Sequence, residues 1–273
     1  MRFRQSTRLI GAALVAAAAL VAGPVGVATA APEDAPTCKA HVDAFDTVVR
    51  DIETHNAKPH LFDPSQQAEF NAYNAAAAAL NARLASIRTK RLACEVAVKS
   101  LGGAPAAMPA GFPALISAVK PTGSTVSTTA AATFTVGLAD LVTADTWGEQ
   151  NLQGKKRPAV GDNDPAFDGA VITGYSDGSP AVSAEAVLPI ADVLALPKFF
   201  DLTPENQWAI LMARKNHRWI SNQALLARVS ASVAAINGLD QDWLRNQDQQ
   251  AKTAREALTS GIDLLAQSQD LPR

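Results

Sequence analysis

Several residue types and catalytic signatures are scarce in this sequence of 273 residues, or absent from it. It contains only two cysteines and four histidines, and aromatic residues make up 5% of the chain. With two sulfurs and no histidine beside either of them, a cysteine-based metal site is disfavoured. There is no His-Glu-x-x-His pair and no phosphate loop with its lysine. The letters Gly-x-Ser-x-Gly occur at residues 174–178, but there they lie at a predicted hairpin turn and not between a strand and a helix. The usual zinc protease and nucleotide-binding signatures are therefore missing.

The first thirty residues predict an export signal. Three arginines precede an apolar run over residues 9–23, and Ala28-Thr29-Ala30 forms a small-residue cleavage site. The apolar run stops at Pro24, short of the roughly 20 residues that span a bilayer, and no cysteine stands at the cleavage site. We therefore expect cleavage near residue 30 and a secreted or cell-envelope protein with no stable membrane anchor.

A surplus of positive charge is also missing. The chain has 24 Lys and Arg against 26 Asp and Glu, and the leader holds three of the basic residues and none of the acidic ones. The remainder therefore carries 21 basic against 26 acidic residues, a net charge of about −5. Nucleic-acid binders draw much of their affinity from net basic faces, so the balance disfavours nucleic acid as a partner. A protein partner remains open.

In an exported chain, Cys38 and Cys94 most simply form one disulfide. The alternatives are two free thiols or part of a metal site. A bridge between them would close a loop of about 57 residues, which the loop-entropy model values at roughly 4 kcal/mol. We expect it to tie together the segment that it encloses.

Residues 31–102 predict an antiparallel helical hairpin. One apolar stripe lies within residues 42–52 and ends before Pro59, and Asp63 with Pro64 is expected to cap the second helix. Gly102 and Gly103 are expected to end that helix. Its seam alternates steps of three and four residues: Tyr73, Ala77, Leu80, Leu84, Ile87, Arg91, Cys94, Val98 and Leu101.

The hairpin's histidines are open to two interpretations. His55 and His60, with Asp63, lie at the expected tip and could bind a metal, but exposed polar loop residues are the favoured explanation. His41 is predicted to lie on a helix surface.

Residues 103–135 are rich in Pro, Ala, Ser and Thr and predict a linker, with a short helix at residues 114–119.

Residues 136–273 then predict a second, mixed domain. Ser176-Asp177-Gly178-Ser179 favours a hairpin between residues 170–175 and 180–184. Helices are expected after the caps Thr203, Ser221 and Asp240, the last one being long. The predicted fold class is mainly α, of the α+β type.

Residues 150–235 carry a motif outline. It runs through Glu185-Ala186-Val187-Leu188-Pro189, then Asn216, Trp219-Ile220-Ser221, Leu225 and Arg228. This outline resembles the HNH or endonuclease VII-like (ββα-metal) nucleases, in particular their secreted and toxin-type branch. In that family Asp-His falls at the first pair, Asn at the Leu225 position and Lys at the Arg228 position. The resemblance implies a small ββα-type domain.

The resemblance also implies that the phosphodiester hydrolysis typical of the family is lost. The family's general base is a histidine at the position of Ala186, and one metal ligand falls at Leu225. Glu185, His217 and Asn222 are the remaining candidates for a rebuilt divalent-metal site. Arg214, Lys215 and Arg218 form a basic group that could meet a phosphate, although a solvated turn between two helices is the favoured interpretation.

Two functions follow from these patterns. The favoured one is an exported, non-catalytic protein whose HNH-like domain serves as a binding or structural module, with no cofactor. The alternative is a secreted metal-dependent endonuclease or toxin with a rebuilt site. A purely structural envelope protein is close to the first.

Overall fold

The computed structural model describes residues 9–10, 35–121, 125–142, 152, 155–229 and 238–269. Over these ranges the protein is mainly helical, as predicted, and ends in a long helix. Apart from residues 9–10, the predicted leader lies outside the described residues. In chain order the elements are β1 (Leu9–Ile10), α1 (Pro36–Asn56), β2 (Leu61–Phe62), α2 (Gln67–Ser100), α3 (Phe112–Ala118), α4 (Thr128–Leu141), β3 (Val182–Ala186), α5 (Ile190–Leu194), α6 (Pro204–Leu211), β4 (His217–Ser221), α7 (Asn222–Val229) and α8 (Gln241–Ser268). Among the described helices, none is long and apolar enough to cross a membrane.

α1 and α2 form the predicted hairpin, and the predicted disulfide joins them. Cys38, near the start of α1, is bonded to Cys94, near the end of α2, with 5.8 Å between their Cα atoms. Val48, Ile52 and Ile87 are buried between the two helices, where the helical spacing of apolar residues places them. β2, in the loop between the helices, pairs antiparallel with β1.

The two ends of α2 differ in how well they were predicted. Asp63 does not cap it, because residues 63–66 form a separate turn in which the Gln66 amide donates to the Asp63 carbonyl at 2.8 Å. Asp followed by Pro is a favoured start for such a turn, so the helix begins at Gln67 instead. At the other end Gly102 has a φ of +102°, and a Cβ there would lie 2.9 Å from Cβ of Arg214. Glycine is therefore required where α2 ends.

The main core lies between the disulfide-bonded ends of the hairpin and the second half of the chain. It includes Phe112 and Phe134, whose rings meet edge to face, and Trp208, whose ring lies 5.0 Å from that of Phe112. Phe112 and Phe134 belong to α3 and α4, so the predicted linker contributes two helices to this core. These two helices could not be predicted from the polar and proline-rich composition of residues 103–135, because only a few large apolar side chains of this segment pack into the core. The sequence also predicts a helix over residues 138–147; α4 covers residues 138–141 of it, and residues 143–147 lie outside the described residues.

α8 packs along α2 and closes the main core. At Gly261, α8 comes so close to the end of α2 that an added Cβ would lie 2.8 Å from Cδ2 of Leu101, the residue after α2. Near the C-terminus of α8, the ring Nε2 of His41 lies 2.9 Å from the carbonyl oxygen of Ser268. His41 is only 4% exposed, so its predicted position on a helix surface was wrong. The end of α8 covers that face of α1.

β3 pairs with β4 and not with the predicted strand at residues 170–175. The turn at Ser176–Ser179 exists, but its flanks are joined only by one isolated bridge, between Gly174 and Pro180. The ladder runs antiparallel from Val182, opposite Ser221, to Ala186, opposite His217. Tertiary packing thus joins two short strands separated by α5 and α6.

Three predicted helix caps are confirmed. The Thr203 hydroxyl accepts from the Asn206 amide at 3.4 Å, and the Ser221 hydroxyl accepts from the Ala224 amide at 3.1 Å. The Asp240 carboxylate accepts from the Trp243 amide at 2.7 Å. These local hydrogen bonds set the starts of α6, α7 and α8.

Candidate functional site

β3 and β4 determine which candidate side chains can meet. Glu185 lies directly opposite Arg218, and Ala186 lies directly opposite His217. Successive residues of a strand point to opposite faces of the sheet, whereas directly opposed residues share a face. Glu185 and Arg218 therefore occupy one face, and Ala186 and His217 occupy the other. Glu185 and His217 do not converge on a common point.

Glu185 is held by two arginines. Its Oε2 accepts from Nε and Nη2 of Arg218 at 3.0 and 2.8 Å, and its Oε1 accepts from Nη1 of Arg228 at 2.5 Å. The Glu185 side chain is only 15% exposed, and that of Arg218 only 13%. A divalent cation would have to displace one of two guanidinium groups and approach the positive charge of the other. The carboxylate acts here as the shared anion of an ion-pair network.

His217 is buried in the sheet and stays neutral near pH 7. It is 1% exposed, and its Nδ1 donates to the Ala213 carbonyl at 2.9 Å. Burial lowers the pKa of His217 to about 4, with the hydrogen bond to Ala213 opposing this shift and the nearby ammonium of Lys155 adding to it. The ring thus serves to anchor the start of β4.

The amide candidates also have structural partners. Asn222 accepts from the hydroxyl of Ser183 through Oδ1 at 2.6 Å and donates through Nδ2 to the hydroxyl of Tyr175. Asn216 is 2% exposed and binds both backbone groups of Leu188, accepting at 2.7 Å and donating at 3.1 Å. Asn216, which directly precedes β4, therefore holds Leu188, which follows β3, against the start of β4.

The last two motif positions, Leu225 and Arg228, have structural roles. Leu225 packs against a small second core that contains Ala166, Ile220, Ala224 and Leu239. Where the resemblance expects a ligand, the chain has an apolar contact. Arg228, at the family's lysine position, binds Glu185.

No group of three potential metal-ligating His, Cys, Asp or Glu side chains occurs among the described residues. At the tip of the hairpin His55 is 3% exposed and its ring lies 4.2 Å from that of Tyr73, whereas His60 is exposed. The favoured prediction of exposed loop residues therefore agrees with His60 but was wrong for His55, which is a buried residue of α1.

The predicted basic residues have three different roles. Arg214 reaches the carbonyls of Gly102 and Ala104 at 3.4 and 3.5 Å and thereby joins the end of α2 to the second half of the chain. Arg218 belongs to the Glu185 network, while Lys215 is exposed. The predicted solvated turn between helices is instead a short 3-10 turn leading into β4.

A cleft of about 520 Å³ lies between these residues and α8. We call it the basic cleft. Its lining consists of Lys155, Val187, Lys215, His217, Arg218, Gln249, Gln250, Thr253, Ala254 and Ala257. Sequence reasoning missed Lys155 as a site residue. The only local signal is the run Lys155-Lys156-Arg157, which does not reveal that the first lysine reaches β4.

No family model, curated protein or solved structure matches this chain. Its function is therefore inferred from the placement and surroundings of its own residues. The Glu185 network offers no open metal position, and the basic cleft offers charged donors that face a solvent-filled space.

Proposed function

We propose that this is an exported, non-catalytic protein whose second half serves as a binding module. The observation that carries the proposal is the state of Glu185. Both of its carboxylate oxygens are occupied by arginines, while His217 lies on the other face of the sheet. A metal-dependent phosphodiesterase needs a metal that can reach substrate and a base that can accept a proton from water. The arrangement of Glu185 and His217 therefore supports a non-catalytic role.

The pairing of the two strands and the helix after them supports a relation to the HNH-type scaffold. β3 pairs with β4 and α7 follows β4, with Ala186 ending β3 and Leu225 within α7, while α5 and α6 lie between the two strands in the chain. In the family, these two positions carry the base and a ligand. Here Leu225 joins the second core, so the scaffold position contributes to packing.

Two features support export. The first thirty residues have the charge and apolar pattern of a cleaved signal. The disulfide between Cys38 and Cys94 is consistent with an oxidising compartment.

The proposal is tested by isothermal titration of the oxidised protein, residues 31–273, with Mg²⁺, Mn²⁺, Zn²⁺ and Ni²⁺. Plasmid nicking is assayed on the same sample. We expect neither stoichiometric metal binding nor nicking that EDTA suppresses. One metal per chain, with nicking abolished by Glu185→Ala or His217→Ala, would instead establish a secreted metal-dependent endonuclease or toxin.

A structural role for Glu185 also predicts a stability effect. Glu185→Gln leaves Arg218 and Arg228 beside each other without a countercharge, so we expect it to lower the free energy of unfolding by about 2 kcal/mol. Asp242→Asn is the matched control, because its ion pair with Arg245 is exposed and should contribute nothing measurable. Urea unfolding of both variants makes the comparison. Equal stabilities would show that Glu185 is not needed for the fold and would reopen a ligand-binding role for it.

A further inference from the structure

The basic cleft carries more positive charge than its surroundings neutralise. Three cationic side chains, Lys155, Lys215 and Arg218, line it, and none of its ten lining residues is acidic. Glu185 lies beside Arg218 but is shared with Arg228, so this one carboxylate serves two guanidinium groups. Among the described residues, neither lysine has an acidic partner.

The contacts of the two lysines show how they are placed. The ammonium of Lys155 donates to the backbone carbonyls of Arg214, at 2.9 Å, and of His217. These bonds fix the Lys155 ammonium at the wall of the basic cleft without neutralising it. Lys215 makes no side-chain hydrogen bond or ion pair within the described part of the chain. Its three donors are therefore available to a ligand.

The electrostatics of the cleft favour a bound anion. Burial lowers the pKa of Lys155, and the positive charge of Lys215 lowers it further. Like charges held close together at a partly buried site raise the free energy of the empty cleft. An anion between the two ammonium groups would remove that repulsion.

The shape and the remaining lining residues suit a small molecule. The volume of about 520 Å³ lies within the usual range for small-ligand sites. Val187, Ala254 and Ala257 supply apolar surface, while Gln249 and Thr253 on α8 supply hydrogen-bonding groups. A ligand with one strongly charged end and a short carbon skeleton fits this combination.

We propose that the basic cleft binds a small phosphate ester through Lys155 and Lys215, with Arg218 at the edge of the site. The charge of nearly −2 on a phosphate monoester matches the charges of the two lysine ammonium groups, whereas a single carboxylate would leave one of these charges uncompensated. The proposal deepens the binding role proposed above and rests on it. A long nucleic acid is a poorer match, because the chain after the leader has a net charge of about −5 and only three cationic side chains line the basic cleft.

The test is isothermal titration of the oxidised protein, residues 31–273, with pyrophosphate, inorganic phosphate and glycerol 3-phosphate at constant ionic strength. We expect saturable binding of one ligand per chain. Lys215→Gln should weaken it about tenfold or more, since a hydrogen bond between charged groups is lost. This variant should keep its circular dichroism spectrum and unfolding midpoint, because Lys215 is exposed.

Lys252→Gln is the matched control. It removes the same charge from an exposed position of α8 that does not line the basic cleft, so its affinity should stay within about twofold of the wild type. Absence of saturable binding, or equal weakening by both substitutions, would overturn the site. Vesicles of phosphatidylglycerol separate two sources of phosphate: co-sedimentation that depends on Lys215 and not on Lys252 would assign a lipid headgroup, and binding of the soluble esters alone would assign a metabolite.

The two proposals fail in different ways. Metal-dependent nicking would overturn the non-catalytic function whatever the cleft binds. Without nicking, a negative phosphate titration would overturn only the phosphate site.

Discussion

At the scale of single residues, burial determines the chemistry of His217. An imidazole at the surface is protonated in about half of the molecules near pH 6.5. His217 lies inside the sheet, next to the ammonium of Lys155, and its pKa is lowered to about 4. It is therefore a neutral donor to the Ala213 carbonyl over the physiological range.

The lowered pKa of His217 predicts a loss of stability in acid. Between pH 6.5 and about 4 the unfolded chain binds a proton at this residue and the folded chain does not. The stability contributed by the neutral ring is therefore complete above pH 6.5 and is lost as the pH falls towards 4. The expected loss is on the order of 3 kcal/mol. Urea unfolding between pH 7 and 4 measures it.

Two variants assign this pH dependence. His217→Gln removes the titrating group and should flatten the profile over that interval. His60→Gln, at an exposed histidine, should leave the profile unchanged. An identical acid loss in wild type and His217→Gln would place the effect on other groups.

At the scale of elements, the close approach of α8 to the end of α2 determines the position of α8. Gly261 faces Leu101, which directly follows α2, and Ile210 on α6, and all three are buried. In an exposed helix interior glycine costs about 1 kcal/mol relative to alanine. Its presence here is explained by the packing, which leaves no space for a methyl group.

Gly261→Ala should accordingly destabilise the protein. The added Cβ would lie 2.8 Å from Cδ2 of Leu101, which is 1% exposed and has little room to move. We expect overpacking to outweigh the gain in helix propensity, for a net loss of about 1 kcal/mol in the free energy of unfolding. Ser260→Ala, one residue earlier and exposed, should be neutral or slightly stabilising. A more stable Gly261→Ala variant would show that α2 and α8 can separate at little cost.

At the scale of the whole molecule, the disulfide secures the part of the hairpin that carries the second half of the chain. Cys38, Cys94, Val98 and Leu101 belong to the same buried core as residues of α3, α4, α6 and α8. Polar contacts join the hairpin to the second half of the chain at the same place. Arg214 binds the carbonyl of Gly102, and the Leu101 carbonyl accepts from the Lys215 amide at 3.1 Å. The hairpin and the basic cleft are thus connected through the end of α2.

Removal of the disulfide should therefore affect the entire protein. The two cysteines are 56 residues apart, and the double substitution Cys38→Ala with Cys94→Ala should lower the free energy of unfolding by about 4 kcal/mol. Urea unfolding of the double variant and of the oxidised wild type measures the difference. Oxidised wild type in mild reductant should keep its native stability, since both sulfurs are buried. A difference below about 1 kcal/mol would mean that packing alone holds the hairpin.

The sequence by itself determined the features that depend on neighbours along the chain. The apolar spacing around Ile87, the caps Thr203, Ser221 and Asp240, and the stop at Gly102 each follow from residues within one or two helical turns, and the structure confirms them. The disulfide was predictable because the chain has only two cysteines.

Only the tertiary structure decided the partner of β3 and the state of the site residues. A five-residue strand has almost no intrinsic preference for a partner, and the register that sets Glu185 opposite Arg218 joins residues that are 33 positions apart in the chain. Burial of His217 and the approach of Lys155 to Lys215 depend on residues about 60 positions apart in the chain. Local sequence patterns do not predict such contacts, because burial and electrostatic environment are properties of the packed molecule.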